Sequence, residues 1–161
     1  MKDLLLIYNA RLIDSNIDRK NSAILISGSK IAGFPEKAAV KEMLADDKVS
    51  KFNAQGATVM PSFIDTHAHF RDPGLTQKED IITGSMAAAA GGYGTVVLMP
   101  NTNPVISSYE QAMAVINEAK AKKMSNIFQT VSITKNFEGK ETLHLDELNK
   151  NEIPVVTEDG H

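Results

Sequence analysis

Residues 58–74 read TVMPSFIDTHAHFRDPG. An apolar run, interrupted only by Pro61 and Ser62, leads into a polar cluster whose members alternate. On a β-strand alternate residues share a face, so Asp65, His67, His69 and Arg71 are expected to point the same way. Two imidazoles one residue apart can grip one metal ion, and zinc sites mix histidine with carboxylate. Arg71-Asp72-Pro73-Gly74 is turn chemistry. The stretch therefore reads as a buried strand ending in a ligand-bearing loop, where parallel α/β proteins place their sites. A bare His-x-His is also a common surface pairing. This one holds two of the four histidines in the chain and directly follows an apolar run.

Downstream, apolar strands alternate with helical segments. Glu79–Ala90 is helix-like. Gly91-Gly92-Tyr93-Gly94 precedes a strand, so it reads as a helix-to-strand turn and not as a phosphate loop. Thr95–Met99 is a buried strand. Ser107 or Ser108 caps a helix over Tyr109–Lys122, with Glu110 near the capping-box position. Ala112 with Ile116, and Val115 with Ala119, share its apolar face. Asn126–Ile133 is the next strand, Leu143–Asn149 a short helix and Ile153–Thr157 the last strand. Four strands and three helices in alternation predict parallel βα units.

Upstream, residues 1–56 read as a β-rich segment. Leu4–Tyr8 and Arg11–Ile13 are apolar runs separated by a polar break. Ala23–Ser27 and Lys30–Phe34 flank a Gly28-Ser29 turn. Pro35–Lys48 has helical composition, and Phe52–Gly56 is a strand and turn. Short segments with tight turns predict a small β-sandwich, followed by an α/β region over 57–161.

Composition narrows the class. The 161 residues are 42% hydrophobic and 23% charged, as in a globular protein with a real core. A formal charge of −3 offers no field for nucleic acid or an anionic membrane. There is no cysteine, so thiolate metal sites and cysteine nucleophiles are excluded. No apolar run reaches membrane-spanning length, and the opening MKDLLLIYNARLID does not read as a signal peptide, so a cytoplasmic protein is expected.

Two other strand ends carry candidates. Met99-Pro100-Asn101-Thr102-Asn103-Pro104 is a proline-stiffened loop presenting Asn101, whose amide both donates and accepts. Thr157-Glu158-Asp159-Gly160 offers a carboxylate before a glycine, although Asp-Gly is also a common turn. His144 reads as a solvated surface histidine. No role is assigned to His161.

Taken together, MPSFIDTHAHFRDPG (Met60–Gly74), KEDIITGSMAAAAGGYGTVVLMPNTNP (Lys78–Pro104) and TEDG (Thr157–Gly160) resemble the dihydroorotases of the amidohydrolase superfamily. The resemblance implies a (β/α)₈ TIM barrel flanked by a small β-sandwich, here the N-terminal β-rich segment plus about the first four βα units. It implies reversible interconversion of N-carbamoyl-L-aspartate and dihydroorotate in pyrimidine biosynthesis, with one or two zinc ions. His67 and His69 match metal ligands. Arg71 and Asn101 match residues holding the substrate carboxylate, a task that suits a guanidinium fork. Asp159 matches a metal-ligating aspartate of one branch of the family, with Glu158 the runner-up. A homodimer, or association with aspartate carbamoyltransferase, is left open. A hydantoinase- or allantoinase-like cyclic amidase is the alternative, but those relatives generally lack Arg71. A non-catalytic partner of aspartate carbamoyltransferase is the other, but such proteins typically lose histidines that are intact here.

Two departures accompany the resemblance. Ser62 stands where the family usually has glycine. Two further ligating histidines and a catalytic aspartate of the family match no position in these 161 residues. A barrel of roughly 250 residues needs about 31 per unit, so the stretch after residue 60 suffices for roughly three and a half units. No general acid–base residue is assigned within the chain, and these residues alone are expected to be inactive.

Overall fold

The computed structural model describes residues 4–160, and the chain divides into two compact units, Met1–Pro61 and Ser62–His161. The first unit contains β1 (Leu4–Ile13), β2 (Asp18–Ser27), β3 (Lys30–Gly33), α1 (Lys37–Ala45), β4 (Val49–Asn53) and β5 (Thr58–Val59). Its strands form one five-stranded sheet ordered β3-β2-β1-β4, with β5 also on β1. Of the expected small β-sandwich, the described residues of this segment form one sheet. The segment around Pro35–Lys48 folds as α1, and its Val40, Met43 and Leu44 pack on Leu6, Ala23 and Val49. The expected break in the first strand is a bulge. Asn9 takes φ +55, and the register against β2 shifts on both sides of Ala10 while β1 stays continuous. Thr58 and Val59 pair with Arg11 and Leu12, which carries this unit beyond the expected boundary at residue 56.

The second unit contains β6 (Phe63–Ala68), α2 (Ile81–Ala90), β7 (Tyr93–Leu98), α3 (Tyr109–Lys122) and β8 (Asn126–Gln129). The strands are parallel and ordered β6-β7-β8. Parallel neighbours cannot be joined by a hairpin, so α2 and α3 serve as the crossovers. This order of consecutive neighbours is that of a (β/α)₈ barrel. Val96, Leu98 and Ile127 of the sheet bury against Ala112, Val115 and Ala119 of α3. Each fully buried valine or leucine contributes about 1.5–3 kcal/mol.

Caps fix the helix starts. The Asp80 side chain accepts from Thr83 N–H at the start of α2, which holds its carboxyl below the usual carboxylate range. Ser108 caps α3 by accepting from Gln111 N–H, with no reciprocal bond from Glu110 to the cap. Gln111 lies at the third position and accepts from Ser107 N–H at 2.8 Å.

Three expectations are corrected here. Phe63 and Ile64 are 50% and 64% exposed, because β6 has a strand neighbour on one side only. The expected strand over Ile153–Thr157 is reduced to one parallel bridge, Val131 to Val156. Pro154 has no N–H to give a ladder, and the opposing Ser132, Ile133 and Thr134 N–H groups bond Ile106 O and the Glu158 carboxylate instead. The short helix after Leu143 is a 3₁₀ helix over Leu143–Glu147.

Gly84 shows why a helix-disfavoured residue sits inside α2. A Cβ there would lie 2.6–2.8 Å from three atoms of the Phe70 ring. Helix propensity favours alanine over glycine by about 1 kcal/mol, but overpacking costs about 1–3 kcal/mol. Gly84→Ala is therefore expected to lower the melting temperature of the whole protein in a circular dichroism melt. An unchanged or raised melting temperature would show that the Phe70 ring moves aside freely.

Candidate metal centre

The ends of β6 and β7 are locked together before either loop departs. Ala68 pairs with Leu98, and Met99 N–H donates to Ala68 O at 2.9 Å. The end of β8 is tied to the same place. Thr130 donates from its N–H and its hydroxyl to Leu98 O, and the buried Gln129 amide reaches the carbonyls of Leu98, Met99 and Thr130. The loops are then joined to each other. Asn103 N–H donates to Pro73 O at 3.1 Å, and Gly74 has φ +87 with no room for a side chain against Asn103 O.

From this platform His67 on β6 and His69 just beyond it converge. Their Nε2 atoms are 3.2 Å apart. Asp159 Oδ1 lies 3.2 Å from His67 Nε2 and 3.8 Å from His69 Nε2. The Asp159 side chain is 6% exposed, against 59% for His67 and 27% for His69. These three are the cluster of metal-ligating type that the described residues contain.

Glu158 does not compete for this place. It accepts from Ile133 N–H at 2.9 Å, from Thr134 N–H at 3.1 Å and from the Thr134 hydroxyl. Anchoring the Glu158 carboxylate on these groups leaves Asp159, the next residue, as the carboxylate that meets the histidines. Thr157 N–H bonds Val131 O at 3.0 Å, and Asp159 closes the approach with φ +46.

The donor set fits a metal ion on its own chemistry. Two imidazole nitrogens and one carboxylate oxygen form the three-ligand pattern of catalytic zinc sites, which leave a further position open. Ligands about 2.0–2.1 Å from a tetrahedral zinc stand roughly 3.3 Å apart, close to the separations found here.

Arg71 does not continue the strand alternation: β6 ends at Ala68, and Arg71 turns the chain with φ +62. Its guanidinium makes no hydrogen bond or ion pair among the described residues, so its donors are free for a ligand. Asn101 Oδ1 lies 2.9 Å from His69 Nδ1. His161 lies outside the described residues. His144 is not a solvated surface residue. It is 9% exposed, and its Nε2 bonds Ser132 O at 2.9 Å. Ser62 sits directly against Gly94, where a Cβ would come within 2.2 Å of the serine oxygen.

Residues 56–161 match the family model described as dihydro-orotase-like. The chain belongs to the dihydroorotase-like family. A dihydroorotase of Clostridium botulinum is 43% identical over 159 residues, covering 97% of this chain and 38% of the relative. A dihydroorotase of Clostridium acetobutylicum is 37% identical over 158 residues, covering 98% of this chain and 36% of the relative. The chain thus spans somewhat over a third of the length of these relatives. Among solved structures, an L-hydantoinase of Arthrobacter aurescens superimposes with a TM-score of 0.75 at 22% identity, over 98% of this chain and 32% of its own. That likeness concerns the fold alone, which these residues share over about a third of that structure. No helix among the described residues is long and apolar enough to cross a membrane.

Proposed function

We propose that these residues serve a zinc-dependent dihydroorotase, which interconverts N-carbamoyl-L-aspartate and dihydroorotate in pyrimidine biosynthesis in the cytoplasm. The observation that carries this reading is the convergence of His67, His69 and Asp159, with a half-buried Arg71 two residues beyond His69 whose guanidinium has no partner among the described residues. Family membership and the dihydroorotase relatives support it.

His67 Nε2, His69 Nε2 and Asp159 Oδ1 would hold the metal. When bound, zinc supplies Lewis acidity, lowering the pKa of water toward neutrality and polarising a carbonyl. Arg71 binds the substrate carboxylate with two parallel N–H donors, and the Asn101 amide N–H₂ adds a third. The joined 71–74 and 100–104 loops carry both residues on the strand ends that bear the histidines. That arrangement orients a cyclic amide by its carboxylate and presents the ring to the metal side. These 161 residues supply no proton-shuttling aspartate matched to the family, so turnover belongs to the whole protein.

The test is substrate choice by the zinc-loaded whole protein. Dihydroorotate hydrolysis, and the reverse cyclisation of N-carbamoyl-L-aspartate, are expected to exceed hydantoin and allantoin hydrolysis by orders of magnitude in kcat/KM. The 161 residues alone are expected to give none of these reactions. Preference for hydantoin would overturn the reading in favour of a general cyclic amidase.

A further inference from the structure

We propose that Asn101 is a positioning residue for the metal ligand His69, fixing its proton on Nδ1 so that the Nε2 lone pair faces the metal. The geometry is specific. Asn101 Oδ1 lies 2.9 Å from His69 Nδ1. A carboxamide oxygen can only accept, so the imidazole nitrogen must be the donor. A neutral imidazole carries one N–H, which leaves His69 Nε2 with its lone pair. That atom is the one facing His67 Nε2 at 3.2 Å and Asp159 Oδ1 at 3.8 Å.

The surrounding backbone holds Asn101 beside His69, and the structure sets its oxygen, not its nitrogen, against Nδ1. Pro100 is buried, Met99 N–H is tied to Ala68 O, and Pro100 O accepts from Thr102 N–H and Ile106 N–H. Asn101 is therefore held on a stiff loop, two residues beyond the Met99–Ala68 clamp that also sets His69. If the amide were reversed, its N–H₂ would donate to Nδ1 and move the imidazole proton to Nε2, blocking the metal. With the oxygen spent on His69, the N–H₂ end remains for a substrate carboxylate. One side chain thus links the state of the ligand to the grip on the substrate. This deepens the proposed function and rests on its reading of His67, His69 and Asp159 as ligands.

Three forms of the whole protein test it: wild type, Asn101→Leu, which removes both amide ends, and Asn101→Asp, which keeps an acceptor and loses the donor. The first readout is the ¹⁵N imidazole spectrum of His69 without metal. Wild type and Asn101→Asp are expected to show the proton on Nδ1, and Asn101→Leu a shift toward Nε2. The second is zinc titration. Asn101→Leu is expected to weaken binding about 10–100-fold, the usual cost of losing a partner behind a ligand, with binding restored in Asn101→Asp. The third is kinetic: Asn101→Asp is expected to raise KM for dihydroorotate while zinc stays bound. A wild-type His69 protonated on Nε2 would overturn the proposal without any variant, which covers a poorly folded Asn101→Leu. Unchanged zinc affinity in a folded Asn101→Leu would also overturn it. Failure of wild type to bind zinc, with the Nδ1 proton in place, would instead overturn the ligand reading and support the hold of Asn101 on the tautomer.

Discussion

Replacing either His67 or His69 with alanine is expected to weaken zinc binding by the whole protein more than about 100-fold, beyond the 10–100-fold typical of a residue behind a ligand, and to abolish turnover. The reason is the number of donors. The described residues bring three ligand atoms together, so each removal takes away a third of the local set. Asp159→Asn is expected to follow closely, because the amide keeps the shape of the carboxylate and loses its charge. Glu158→Gln provides the contrast. Its oxygen still accepts from the Ile133 and Thr134 N–H groups, so zinc binding should weaken far less. Titration with a competing chelator gives the ranking. Equal losses at Glu158 and Asp159 would mean that both carboxylates reach the metal, against the geometry observed.

Arg71→Met is the second large effect, and it should fall on substrate and not on metal. Each hydrogen bond to a charged group contributes about 1.5–3 kcal/mol, so a fork of two implies about 3 kcal/mol or more. That corresponds to a loss of roughly 100-fold or more in kcat/KM for dihydroorotate. Zinc affinity should stay near wild type, since Arg71 lies outside the ligand cluster. Arg71→Lys should recover little of the loss, because an ammonium cannot give two parallel donors in one plane. Hydantoin carries no such carboxylate, so any residual activity on it should be insensitive to Arg71→Met. A loss shared equally by both substrates would show that Arg71 acts on the metal or on the loop instead.

The parts of the fold legible from sequence are those with local causes. The helix Tyr109–Lys122 is announced by its serine cap and its 3.6-residue apolar pattern, and it appears with those bounds. The His-x-His pair is legible because strand alternation and a following turn loop are both written into a few adjacent residues. What escapes is set by distant neighbours. Whether Ile153–Thr157 becomes a strand depends on Glu158 capturing the N–H groups of Ile133 and Thr134, which the segment does not reveal by itself. His144 reads as surface because its own neighbours are polar, yet it is drawn inward by Ser132 O. Residue type alone could not choose between Glu158 and Asp159; the Val131–Val156 bridge and the Glu158 anchor turn Asp159 toward the histidines. Alternation alone puts Arg71 on the face of the histidines, whereas a positive φ carries it onto a turn. The hydrogen bond of Asn101 to His69 spans 32 positions of sequence and leaves no local signature.

His67, His69 and Asp159 are proposed to hold one metal ion between them. Anomalous diffraction at the zinc edge from crystals of the zinc-loaded whole protein tests it most directly. A peak is expected within bonding reach, about 2.0–2.2 Å, of His67 Nε2, His69 Nε2 and Asp159 Oδ1 together. A zinc peak elsewhere, or one at the histidines with Asp159 replaced by Glu158, would contradict it.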